Sequence, residues 1–334
     1  MTFFAVNSIE AAGCIHFIEQ SSFMSAQNTL ILDGGMGREL HRMGAPFKQP
    51  EWSALALFEG PDFVRKAHEA YIHAGANVIT ANSYAVVPYH IGEERFQRHG
   101  EELAHLAGKL GRDAIQNTRP SSVSLAGSLP PTGGSYRPDL FDQARAHYIL
   151  STLIKGLSPS VDLWLAETQS SIAEAQTARQ IIDRNDTRPF WVSFTLDDSQ
   201  IHSQSPYTHM PVTLRSGEQL VDALNTMLPL GIDGVLFNCS DPRIMEPALT
   251  TASELIRSEP EAKRPRLGVY ANAFVSHDHG QGEEANEAIS TLDEELTPQR
   301  YASFAAEWVH AGASIVGGCC GIGPEHIAAL SNER

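Results

Sequence analysis

Cysteine is scarce in this chain, with four in 334 residues, too few for a disulfide framework to organise a protein of this size. Positive charge is also in short supply. Twenty-four Lys and Arg face 40 Asp and Glu, a net charge of −16, and no sustained Lys/Arg run occurs. Clustered cations are what neutralise phosphates, so a nucleic-acid surface is excluded, and an anionic membrane surface for the same reason. No apolar run reaches the roughly eighteen residues a membrane-crossing helix needs. The first residues, MTFFAVNSIEAAGCIHFIEQSSF, have no basic start and are broken by Asn7, Glu10 and Glu19. That makes a poor secretory signal, and a cytoplasmic protein is expected. Internal repeats are lacking. So is a dinucleotide fingerprint, because Gly34-Gly-Met-Gly37 has the wrong spacing.

What is present is a regular alternation. Apolar runs of strand length recur at 29–33, 77–83, 122–127, 162–168, 190–195, 233–238, 267–272 and 313–318. Helix-like stretches lie between most of them, at 62–74, 101–115, 142–154, 171–183, 217–228, 243–256 and 297–312, and Pro324 opens a last helix. Thr297 is a good cap for its helix and Pro298 suits the first turn. The strands read as continuous apolar runs, as expected when both faces are covered. The expectation is a single-domain α/β fold, a (β/α)8 TIM barrel over residues 29–334; an open doubly wound sheet is the other candidate. Residues 1–28 are read as an N-terminal extension expected to be disordered, either loosely attached or arising from a start upstream of Met24. Two stretches, 129–140 and the acidic 275–296, are too long for simple turns.

In such a barrel the active site gathers at the C-terminal ends of the strands. Asp33 falls there after the first strand, Asn82 and Tyr84 after the second, and Glu167 at the end of the fourth. Asn238 and Cys239 end the sixth strand and Cys319 and Cys320 the eighth. A lone cysteine is most often a small buried hydrophobe, and Cys14 fits that. Three cysteines on one rim do not. Three thiolates suit zinc, with a fourth position left open as in catalytic sites. A thiol entering that position loses its proton and becomes a nucleophile. Asp33 and Glu167 would then meet the ammonium group of a thiol-bearing amino acid, and Gly34-Gly35 offers close backbone approach to its carboxylate. Taken singly, Asp33 reads equally well as a turn residue, Glu167 as a rim ion pair and Tyr84 as rim packing. The histidine pairs His202/His209 and His277/His279 sit in polar loops and read as surface.

Taken together, DGGMG (33–37), ANSY (81–84), ET (167–168), NCS (238–240), GGCCG (317–321) and PEHI (324–327) resemble the zinc-dependent homocysteine S-methyltransferases over about residues 30–330. The resemblance implies zinc on Cys239, Cys319 and Cys320, and Asp33 and Glu167 at the amino-acid end of homocysteine. Gly34, Gly35, Asn82 and Asn238 join them as substrate contacts, with Tyr84 beside the reacting groups. It implies methyl transfer from S-methylmethionine, S-adenosylmethionine or a betaine-type donor, giving methionine. The chain departs from the family at GSLPPTGGSYRP (127–138), at Arg38 and at YANAF (270–274). Two other classes stay open: a phosphate-binding barrel lyase or isomerase using the glycines near the last strand, and a non-catalytic thiol or metal sensor.

Overall fold

The apolar runs become eight parallel strands: β1 (Leu30–Ile31), β2 (Val78–Thr80), β3 (Ser124–Leu129), β4 (Leu163–Gln169), β5 (Phe190–Phe194), β6 (Gly234–Asn238), β7 (Arg266–Tyr270) and β8 (Ile315–Val316). The structure is a computed structural model that describes residues 29–120, 122–199, 201, 211–274 and 292–332. The sheet runs β1-β8-β7-β6-β5-β4-β3-β2. Its two ends meet through a parallel bridge between Leu32 and Val78. There Asn77 N donates to Ile31 O at 2.7 Å and Asp33 N to Val78 O at 3.0 Å. The result is the (β/α)8 barrel that the alternation predicts.

Successive strand residues face opposite sides, and here both sides are dry. Leu32, Val78, Ala126, Leu163, Leu165, Trp191, Leu236 and Ile315 fill the barrel interior. Their neighbours Ile31, Ile79, Leu125, Trp164, Val192, Val235, Val269 and Val316 pack beneath the helices. Local signals set the helix starts. Asp142 accepts from Arg145 N at 2.7 Å, Ser171 and Glu174 form a reciprocal capping box, and Thr297 caps Pro298–His310.

The helix expected from 101 instead spans Glu93–Thr118. Gly100 reads as a break but serves as a contact, since a Cβ there would lie 2.9 Å from the Phe96 ring. Three short helices, Met36–Arg42, Ala54–Glu59 and Pro88–Ile91, lie in stretches too short to show a helical period. The long stretch after β3 folds inward, with Thr132 and Ser135 buried. Residues 1–28 with Cys14, both histidine pairs, and 275–291 of the acidic loop lie outside the described residues.

Candidate metal and amino-acid site

The barrel interior changes character toward the C-terminal ends of its strands. Two residues beyond an inward apolar side chain comes a polar one on the same face: Val78 then Thr80, Ala126 then Ser128, Leu165 then Glu167, Trp191 then Ser193, Leu236 then Asn238. A polar floor thus lies on an apolar plug.

Above it the three cysteines converge. The Sγ atoms of Cys239, Cys319 and Cys320 all lie within 4.8 Å of one another. Cys239 and Cys319 are joined as a disulfide with their Cα atoms 5.8 Å apart, and Cys320 is a free thiol 4.0 Å from Cys319 Sγ. Around a tetrahedral zinc with Zn–S bonds of about 2.3 Å, sulfurs sit roughly 3.8 Å apart, so the reduced trio needs only small movements to surround one ion. Soft sulfur donors suit zinc, and the donor set fits. Burial pushes the Cys320 thiol up to about 11, with Arg38 pulling it down and Glu167 raising it.

The glycines around the pair answer a need for close approach. A Cβ on Gly317 would lie 2.4 Å from Leu32 Cβ, and one on Gly35 would lie 2.7 Å from Cys319 O. Four of the loop's N–H groups bond the barrel or the loop itself: Gly317 to Val269 O, Gly318 to Asp33 O, Cys319 to Ala271 O and Ile322 to Cys319 O. From behind, Tyr301 Oη donates to Gly317 O at 2.6 Å. The loop is thus pinned to the barrel backbone, and its converging thiols, which have no part in the phosphate reading, give that reading no support. Gly35 N likewise donates to Ile322 O at 2.9 Å.

Asp33 is buried and accepts from Thr80 N at 2.8 Å and Thr80 Oγ1 at 3.1 Å. Burial nevertheless pushes its carboxyl up to about 8, and the nearby Glu167 adds to the rise. Glu167 accepts from Ser128 Oγ, and burial pushes it up to about 7. Two carboxyls held partly protonated in one mouth are prepared for a cation, which would favour their charged forms.

The remaining candidates are well anchored. Asn238 is fully buried. Its Oδ1 accepts from Ser193 Oγ at 2.7 Å and Thr168 N at 3.1 Å, and its Nδ2 donates to Thr168 Oγ1 at 2.9 Å and faces Cys319 Sγ at 4.0 Å. Asn82 Nδ2 donates to Ser53 O at 3.1 Å, tying the loop after β2 to the Ala54–Glu59 helix. Tyr84 Oη and Tyr89 Oη both reach Ser135 Oγ, at 2.8 and 3.1 Å. Glu167 is among the charges acting on Tyr84.

Three participants were not foreseen: Ser128, Ser135 and Tyr136. Burial raises the Tyr136 phenol, and the charge acting on it most strongly is that of Cys320. The signal available was the unusual GGSYRP stretch in which Ser135 and Tyr136 stand.

Residues 30–334 match the family model described as homocysteine S-methyltransferase. The chain is 28% identical to homocysteine S-methyltransferase 4 of Zea mays, across 98% of this chain and 94% of that protein. It is 25% identical to the homocysteine S-methyltransferase of Escherichia coli strain K12, across 92% and 96%. Among solved structures, the metallated form of the homocysteine methyltransferase MmuM from Escherichia coli shares the fold. Its TM-score is 0.71 and its sequence identity 24%, covering 94% of this chain and 99% of that one.

Proposed function

The chain belongs to the homocysteine S-methyltransferase family, and from that membership and the site's geometry we propose that a zinc ion held by Cys239, Cys319 and Cys320 serves methyl transfer from a positively charged donor to homocysteine, giving methionine. The observation that carries this reading is the convergence of three sulfurs within 4.8 Å beside two carboxyls prepared for a cation. Zinc bound there lowers the pKa of a thiol brought to its open position.

The chain's own groups do the rest. Asp33 and Glu167 receive the substrate ammonium and give up their protons to do so. The backbone around Gly34 and Gly35 lies beside the amino-acid carboxylate. Asn238 keeps the floor under Cys319 in place, and Asn82 fixes the loop that carries Tyr84. Tyr84, held by Ser135, lines the donor side, where an aromatic ring suits a sulfonium or quaternary ammonium group.

The reaction is an in-line displacement. A new S–CH3 bond forms from a lone pair of the homocysteine thiolate as the donor's S–CH3 or N–CH3 bond breaks, and the broken bond's electron pair stays on the donor's sulfur or nitrogen and cancels its positive charge. Holding the two reactants in line is worth roughly 7–11 kcal/mol. Donors carrying that charge are S-methylmethionine, S-adenosylmethionine and betaine-type compounds. The barrel over 29–334 is the catalytic unit. A reducing cytoplasm suits its thiols.

A donor panel with homocysteine under reducing conditions, read out as methionine, tests this. One of the three donor types should give turnover that a chelator abolishes and zinc restores. Cys239→Ala should lose about 10²–10³-fold, the scale on which removing a key transition-state contact is felt. Full activity in metal-free protein would end the zinc reading.

A further inference from the structure

Cys239 stands in the left-handed region, with φ +50°, where a residue with a Cβ stays only if its surroundings hold it. Against its carbonyl lies a nearly buried ion pair. Arg215 Nη2 lies 3.0 Å from Asp198 Oδ1, with side-chain exposures of 11% and 9%. The same nitrogen donates to Cys239 O at 3.4 Å, while Arg215 Nε donates to Thr195 Oγ1 at 3.2 Å. Thr195 Oγ1 also reaches Cys239 O, at 3.4 Å. On the far side of Ser240, Asp198 Oδ2 accepts from Asp241 N at 2.8 Å. Ser240 Oγ itself accepts from Leu196 N at 2.9 Å. The peptide groups just after Cys239 are thus gripped from the segments following β5. The guanidinium also lies 4.7 Å from the Tyr136 ring centre, wedged between the loop after β3 and the loop after β6.

We infer that Arg215, with Asp198, is a positioning residue that aims the Cys239 sulfur at the centre shared with Cys319 and Cys320. This rests on the reading of Cys239 as a metal ligand. The role requires a planar fork. One guanidinium meets a carboxylate, a hydroxyl, a carbonyl and a ring face at once, which a lysine ammonium cannot do.

Zinc affinity of the reduced protein, by chelator competition, and the cobalt(II)–thiolate charge-transfer spectrum test it without reference to turnover. Arg215→Lys is expected to weaken zinc binding about 10–100-fold, the usual effect of losing a group that orients a metal ligand. It should also lower the intensity of the cobalt–thiolate band. In Arg215→Ala, millimolar guanidinium should recover part of both. Thr195→Val, a milder change to the same carbonyl contact, should shift both readouts in the same direction and serves if the arginine variants do not fold. Arg188→Met is the comparison. It breaks the Arg188–Asp186 pair between β4 and β5 and should lower the Tm with zinc affinity unchanged. Folded Arg215→Lys with wild-type affinity and spectrum would overturn the inference. Cys239→Ala retaining wild-type zinc affinity would instead overturn the ligand reading beneath it.

Discussion

Asp33 and Glu167 show how much a single side chain's surroundings decide. A carboxyl in water titrates near 4; these two sit at about 8 and 7 because burial disfavours their charge. On the proposed reading, the free site below pH 7 holds protons that an incoming ammonium group displaces, so binding should release protons and tighten as the pH rises toward 8. Methionine is a suitable probe because it has no thiol proton of its own. Calorimetry in buffers of different ionisation enthalpy should show proton release at pH 6–7 that shrinks in Asp33→Asn. Release unchanged in that variant would separate Asp33 from the ammonium site. At this scale the sequence displays the chemistry-bearing residues, because strand ends are legible and Cys, Asp and Glu are few there. It hides the groups that aim them. Arg215 and Asp198 act on Cys239 across strands, a relation with no local period or spacing.

Strands were readable from their unbroken apolar runs, which a barrel covered on both faces demands. The Pro298–His310 helix announced itself through its Thr297 cap. The element whose meaning changed is the glycine-rich turn after β8. Its composition suggests looseness, yet Gly317, Gly318 and Gly321 sit where a methyl group would crowd Leu32, Ile322 and Leu292. Gly317→Ala should accordingly cost about 1–3 kcal/mol, the usual range for overpacking, because the new Cβ meets Leu32 on the neighbouring strand. Urea denaturation measures it, and a variant as stable as the parent would mean the turn has slack. The loop after β3 was legible as long and as a departure from the family. That it folds inward to bring Ser135 and Tyr136 over the site depends on contacts with Tyr84 and Tyr89, fixed by the barrel's closure.

Across the whole molecule, the cysteines tie loops from β6 and β8 into one centre, so occupancy there should be felt by the entire fold. In reduced protein, saturating zinc at a thousand times its Kd adds about 4 kcal/mol. Scanning calorimetry should show the Tm rise with zinc and fall again with chelator. With Cys239 and Cys319 left disulfide-bonded the same zinc should do little until a reductant is added. A Tm indifferent to zinc in the reduced state would count against a centre shared by the three sulfurs. The net charge of −16 helps keep such a molecule soluble, a property of its surface and independent of its catalytic mouth. The ring itself is fastened most sparingly between its first two strands, by the single Leu32–Val78 bridge and its flanking bonds. Asp33 stands at that seam, and both of its carboxylate oxygens bond Thr80 on the opposite side. On the proposed reading the carboxyl that fastens this seam is also the one that meets the substrate's ammonium, so whatever occupies it would tug on the hoop.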